Sequence, residues 1–263
     1  MRRLLRALPL TLTITALAVA ALTLLAAGCG SGNSTQLRVV NAIDDLNGGS
    51  LDVYFNGSDT FPDIAAGQAL PSAGSAATYT PVPSGSDTIQ AYPHGASSGG
   101  LFSNPGANET LNGSTQYTVL LGGQYGITAG TSAPNLWVLT DNNTAPATGY
   151  LEVRVIDGSL WGNQNFTSGF DIFLVPYGTI INPSNPSFSG LSLGQSTGYL
   201  SLQAFSSGYT LAVAPTSDPS DTFFSQNYTS VTTGGQIFTI VLVDNNSNQP
   251  NGLATPLLLT DLN

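Results

Sequence analysis

The chain has 263 residues, with 15 acidic side chains against five arginines and no lysine, a single cysteine, a single histidine, 30 glycines and 16 prolines. One Cys and one His exclude a zinc cluster, an iron–sulfur site, a disulfide framework and a multi-histidine metal centre. The acidic balance excludes a nucleic-acid partner, because no basic stripe is present to release phosphate counterions. Glycine and proline are enriched without reaching the level of a low-complexity chain, so folded structure is expected.

Arg2, Arg3 and Arg6 precede an uncharged apolar stretch from Leu10 to Ala27, and Leu25-Ala26-Ala27-Gly28 sets small residues directly before Cys29. The combination resembles the lipobox of bacterial lipoproteins, although Ala26 stands where leucine is more usual. The resemblance implies a signal peptide over residues 1–28 that is removed on export, then a lipid-bearing Cys29 and a short linker to residue 36. By the same analogy Gly30, where an aspartate would retain the protein, points to the outer membrane. Behind the signal, Arg38 and Arg154 are the only cations against all 15 acidic side chains. Ser, Thr, Asn, Gln and Gly carry the solubility, as suits an extracytoplasmic surface.

The remainder repeats itself. Leu37-Arg38-Val39-Val40-Asn41-Ala42 matches Val153-Arg154-Val155-Ile156-Asp157-Gly158, and Leu51-Asp52-Val53-Tyr54 matches Phe170-Asp171-Ile172-Phe173. Thr88-Ile89-Gln90-Ala91-Tyr92-Pro93 matches Thr210-Leu211-Ala212-Val213-Ala214-Pro215, Tyr117-Thr118-Val119-Leu120 matches Phe238-Thr239-Ile240-Val241, and Leu139-Thr140-Asp141 matches Leu259-Thr260-Asp261. The order is kept throughout, which gives two copies, residues 37–149 and 150–263. Within the blocks apolar and polar residues alternate with period two: Leu51, Val53 and Phe55 against Asp52, Tyr54 and Asn56. Asn47-Gly48-Gly49, Pro83-Ser84-Gly85, Asn104-Pro105-Gly106 and Asn182-Pro183-Ser184 supply turns, and no stretch behind the signal shows a helical pattern. The expected fold is all-β: two tandem immunoglobulin-like antiparallel β-sandwich domains, each closing its own core without disulfides.

Arg-Val-Val-Asn-Ala from Arg38, Leu-Asp-Val-Tyr-Phe-Asn-Gly from Leu51 and Thr-Pro-Val-Pro-Ser-Gly from Thr80 resemble the bacterial domain of unknown function 4397. The resemblance covers nearly all of the mature chain and is stronger in the first copy, since Gly158 to Gly169 departs from the short connection usual in the family. It implies exported or lipid-anchored sandwich modules, often in tandem, and carries over no catalytic residues.

Candidate chemistry is sparse. His94, the one imidazole, sits in a Gly/Ser-rich loop, and no Gly-x-Ser-x-Gly elbow occurs. Asp44-Asp45 adjoin a turn and read as solvated. No catalytic residue, cofactor or metal is therefore expected. Asp244, Asn246 and Asn248 open like a calcium loop, but Gln249 and Thr255 break the pattern where a glycine and a bidentate glutamate are needed. Tyr54, Trp137, Trp161 and Tyr177 are the candidates for stacking on sugar rings, against the ordinary role of aromatics in filling a sandwich core. Arg38 and Arg154 share the outward parity of Asp52 and Asp171 on the next strand, which predicts one exposed cross-strand ion pair per copy, Arg38 with Asp52 and Arg154 with Asp171.

The reading is a non-enzymatic cell-envelope lipoprotein, tied to the membrane by its lipid and serving structure or adhesion toward an envelope or extracellular polymer. A glycan-binding surface protein is the alternative, and a carboxylate-dependent hydrolase a third.

Overall fold

The two-residue alternation of the apolar blocks makes strands, and the turn formers between them decide where each strand ends. In the computed structural model, which describes residues 34–46, 49–75, 77–102, 106–244 and 252–261, the first half forms nine strands. They are β1 (Thr35–Asp44), β2 (Ser50–Phe55), β3 (Ser58–Ala65), β4 (Gln68–Leu70), β5 (Thr80–Val82), β6 (Gly85–Pro93), β7 (Ala107–Leu111), β8 (Gln116–Gln124) and β9 (Asn135–Thr140). The second half contributes β10 (Tyr150–Asp157), a short helix α1 (Leu160–Asn165), β11 (Phe170–Pro176), β12 (Phe188–Leu191), β13 (Leu200–Gln203), β14 (Tyr209–Pro215), β15 (Phe224–Tyr228), β16 (Ile237–Leu242) and β17 (Leu257–Thr260). Every repeated block lies on one of these strands or at its end.

The first half is a sandwich of two sheets, β4-β1-β8-β9 with β5 also on β1, and β3-β2-β6-β7. Leu37, Val39, Val119 and Leu121 from one sheet meet Leu51, Val53, Phe55, Ile89 and Phe61 from the other. The second half repeats the plan with β13-β10-β16-β17 and β12-β11-β14-β15, around Val153, Val155, Ile172, Leu211, Val213 and Ile240. Neither sandwich is wholly antiparallel. β1 runs parallel to β8, and β10 parallel to β16, because the chain leaves the first strand for the opposite sheet and returns beside it in the same direction.

The two sandwiches are not independent. A third apolar cluster joins Val40, Ala42, Ala69 and Leu120 of the first to Ile156, Val241, Val243 and Leu259 of the second. These side chains have the parity opposite to the core residues Leu37 and Val39, so the back of the β1 sheet is covered by the back of the β10 sheet. Residues from Ser34 onward accordingly form one compact unit. Gly158 sits in this contact, where an added Cβ would lie 2.8 Å from the Ala42 Cβ.

Helix α1 was not expected from the sequence. The Ser159 hydroxyl accepts from the Gly162 N–H, and the Asp244 carboxylate accepts from the Trp161 N–H and the Ser159 hydroxyl. One cap and one distant carboxylate satisfy the free N–H groups of a six-residue helix that has no apolar period of its own.

Candidate functional site

The two arginines overturn the exposed-pair expectation. Arg38 and Arg154 are only 1% and 2% exposed, on the sheet backs that face each other, whereas Asp52 and Asp171 belong to the opposite sheets. Arg38 reaches across to the second sandwich, donating to Asp261 at 2.8 Å and to the Thr260 carbonyl at 3.1 Å. Arg154 makes the reciprocal reach, to Asp141 and to the Thr140 carbonyl at 3.2 Å. Thr118 donates to Asp141 and Thr239 to Asp261, while the Tyr79 hydroxyl donates to Asp141 and the Tyr199 hydroxyl to Asp261, each at 2.7 Å. The guanidinium groups lie over the rings of Tyr79 and Tyr199, at 5.1 and 4.8 Å from the centroids. Burial opposes the charge of Arg38, but Asp261, with Tyr79 and Asp141, holds its pKa above the ordinary value. Burial raises the Tyr79 and Tyr199 phenols, which stay neutral and donate. Two cations and two anions thus close a buried cluster that belongs to the joint and leaves no charge for a ligand. The sequence held its signal, one Arg and one terminal-strand Asp per copy, but not the crossing.

Asp52 lies on the outer face of the other sheet. His94 Nδ1 is 2.8 Å from one oxygen, the Gly95 N–H donates to the second, and the Asp63 N–H also donates to Asp52. Burial works against the Asp52 charge, but these hydrogen bonds win and hold its pKa below the usual value. The Asp52 contact raises that of His94 in turn. Asp171 accepts from the Ser189 and Thr216 hydroxyls instead.

Beside Asp52 on the same face stand Tyr54 of β2 and Tyr92 of β6, edge to face with centroids 5.1 Å apart and planes at 79°. They line a cavity of about 180 Å³ together with Gly57, Thr88, Gln90 and Ser97. The Gln90 amide is spent on the loop above it, donating to the Phe102 carbonyl and accepting from the Phe102 N–H. Asn56 and Gly57, with φ of 50° and 78°, form the tight hairpin turn that bounds the cavity on one side.

Residues 35–163 match a family described as Domain of unknown function (DUF4397). This segment is a DUF4397 domain. No curated protein matches the chain.

The DUF4397 match takes in the whole first sandwich and runs on through β10 into α1. The tyrosine face therefore lies inside the DUF4397 segment, and the second sandwich offers its internal control. By register Phe173 stands where Tyr54 does and Ala214 where Tyr92 does, since Tyr54 pairs with Gln90 and Phe173 with Ala212. There Phe173, Ala212 and Ala214 are fully buried and Ile181 packs on them from the segment 177–187.

The other stacking candidates divide. Trp137 lies over Gly194 of the second sandwich, where an added Cβ would be 2.1 Å from its ring, and packs on the joint. Trp161 sits on Gly252 and edge-on to Phe166 and Phe223. Both serve packing. Tyr177 is half exposed, in the turn after β11. Cys29, Asn246 and Asn248 lie outside the described residues. Asp244, the remaining calcium candidate, is engaged with Ser159 and α1, and burial pushes its pKa up to about 6. Among the described residues no group of three or more His, Cys, Asp or Glu is placed to hold a metal ion.

Proposed function

We propose that the protein is an exported lipoprotein of the bacterial envelope, held by a diacylglyceryl Cys29, whose locked pair of sandwiches presents a binding face without chemistry of its own. The observation that carries this reading is the run of Arg2, Arg3 and Arg6, the apolar stretch and the small residues before Cys29. The acidic, lysine-free chain behind it agrees with life on an envelope surface. The non-catalytic part is supported by the engagement of the titratable groups. Asp141 and Asp261 neutralise buried arginines and are closed to a substrate.

Labelling with palmitate in the native host tests the anchor. The wild-type chain takes up label and fractionates with the envelope, and Cys29→Ser abolishes both; equal labelling of the variant would overturn the reading. A panel of esters, glycosides and peptides tests the rest, since turnover removed by changing one carboxylate would make the protein an enzyme.

A further inference from the structure

We propose that the cavity floored by Tyr54 and Tyr92 binds one ring of a neutral saccharide. The inference deepens the binding role proposed above and rests on it for the source of the ligand, an envelope or extracellular polymer.

The duplication provides the first argument. Two copies of one sheet face have been finished in opposite ways. In the second sandwich the chain covers the face with its own segment 177–187, and Phe173 and the two alanines beneath are sealed. In the first, the two-residue turn Asn56-Gly57 cannot fold back, and the same positions carry tyrosines that stay partly exposed. No described residue hydrogen-bonds either phenol. A face closed in one copy by an apolar cover is, in the other, covered by the loop to Phe102 only over Gln90, and is left open over two rings whose hydroxyls no described residue bonds.

The second argument is chemical. Rings at 79° form a floor and a wall. The C–H face of a pyranose carries slight positive charge and packs on the negative face of an aromatic ring, while its equatorial hydroxyls point sideways to polar partners. Those partners are present in the two phenols, the Ser97 hydroxyl and the Thr88 side chain. The volume suits one small ring rather than a drug-sized ligand.

Other occupants fit less well. The cavity lies over β2 and β6, the inner strands of β3-β2-β6-β7, whose backbone groups are already paired, so a peptide cannot add as a strand. An acidic ligand would find no free guanidinium, because Arg38 and Arg154 are buried in the joint. An ammonium ligand would need an acid in the cavity, and the residues that line it are all uncharged: Asp59, the cross-strand neighbour of Tyr54, is not among them, and Asp52 is met by His94 and two backbone N–H groups.

The test is calorimetric titration of the full chain, purified in mild detergent, with tetrasaccharides of glucose, mannose and N-acetylglucosamine. Saturable binding of at least one is expected, with Tyr54→Ala and Tyr92→Ala each weakening it by about tenfold. Ser97→Trp, which fills the cavity from an exposed loop position and leaves both tyrosines in place, is expected to abolish it, while Tyr177→Ala leaves it unchanged. Near-ultraviolet circular dichroism verifies that each variant is folded. Absence of saturable binding to all three sugars overturns the proposal, as does binding indifferent to Ser97→Trp. Cavity-dependent binding of tetramethylammonium in place of sugar, or self-association of the chain that Ser97→Trp abolishes, also overturns it. Palmitate labelling is untouched by any of these outcomes, so the anchored reading and the saccharide site fail separately.

Discussion

Arg38 and Asp261 lie 223 residues apart in the chain and meet at 2.8 Å, with both side chains almost wholly excluded from water. Removing one partner of such a pair costs far more than the pair contributes, because the other is left as an uncompensated buried charge. Asp261→Ala is therefore expected to cost about 3–5 kcal/mol in urea unfolding. Asp218→Ala, at an exposed turn, is expected to change stability by less than about 0.5 kcal/mol. Equal effects of the two would show that the cluster does not hold the joint.

Trp137 reaches from β9 onto Gly194 of the other sandwich, and Gly194 has a φ of +78°. A side chain there is unfavourable twice over, through the left-handed backbone and through the collision with the indole. Gly194→Ala is expected to destabilise by about 1–3 kcal/mol and to shift tryptophan emission to the red as Trp137 is displaced. An unchanged spectrum would mean that the indole does not rest on this glycine.

Strands were legible because their signal is local: the period of two in Leu51–Phe55 and its repeat in Phe170–Leu174 needed no partner to be read. The same parity placed Arg38 and Arg154 on the outward face of their strands, and that was right. What it cannot say is what lies beyond that face, and here the second sandwich does, so groups read as solvated are buried and paired across the joint. Helix α1 escaped for a related reason, since its cap depends on Asp244, more than eighty residues away. Tyr54 was singled out from parity, whereas Tyr92 was not, although it shares that face. The opening itself became visible only when the cover of Ile181 in the second copy was set against the bare hairpin of the first.

His94 and Asp52 give a pH dependence of known sign. The Asp52 pKa is depressed, so its contribution is present above the ordinary carboxylate value of 3.8 and is lost as pH falls through the folded value. The His94 pKa is raised, so its contribution is full below 6.5 and is lost as pH rises through the folded value. Between these limits the pair contributes most. His94→Gln is expected to flatten the decline of thermal stability above pH 6.5, and a profile identical to wild type would show that the imidazole does not sense Asp52.

Asp244 has the opposite sign for a carboxylate. Burial pushes its pKa up from 3.8 to about 6, so the folded chain holds the proton more tightly than the unfolded one, and stability falls as pH rises through that interval. The backbone N–H of Trp161 donates to this carboxylate, so a change in its charge shifts the first turn of α1 that carries the indole. In a Trp137→Phe background, tryptophan emission is expected to titrate near pH 6, and Asp244→Asn to remove the step. A flat titration with Asp244 intact would place its pKa elsewhere.

The shared joint predicts how the chain behaves when cut. Separated at residue 149, the first half exposes Val40, Ala42, Ala69 and Leu120, and the second exposes Ile156, Val241, Val243 and Leu259. Arg154 loses Asp141 while Arg38 loses Asp261, although Arg38 keeps Asp141 of its own half at 3.5 Å. Each half thus keeps one acid for its arginine, but the second more loosely, because Asp261 stands 4.0 Å from Arg154. The second fragment is accordingly expected to be the less soluble of the two, and equimolar mixing to rescue it as a one-to-one complex in sedimentation velocity. Introducing Asp141→Ala into the first fragment takes from Arg154 its close partner in the complex, leaving only Asp261 at 4.0 Å, and is expected to weaken association by about 3–5 kcal/mol, a hundredfold or more. Two stable, non-associating monomers would show instead that each sandwich closes on its own and that the buried cluster merely fills the space between them.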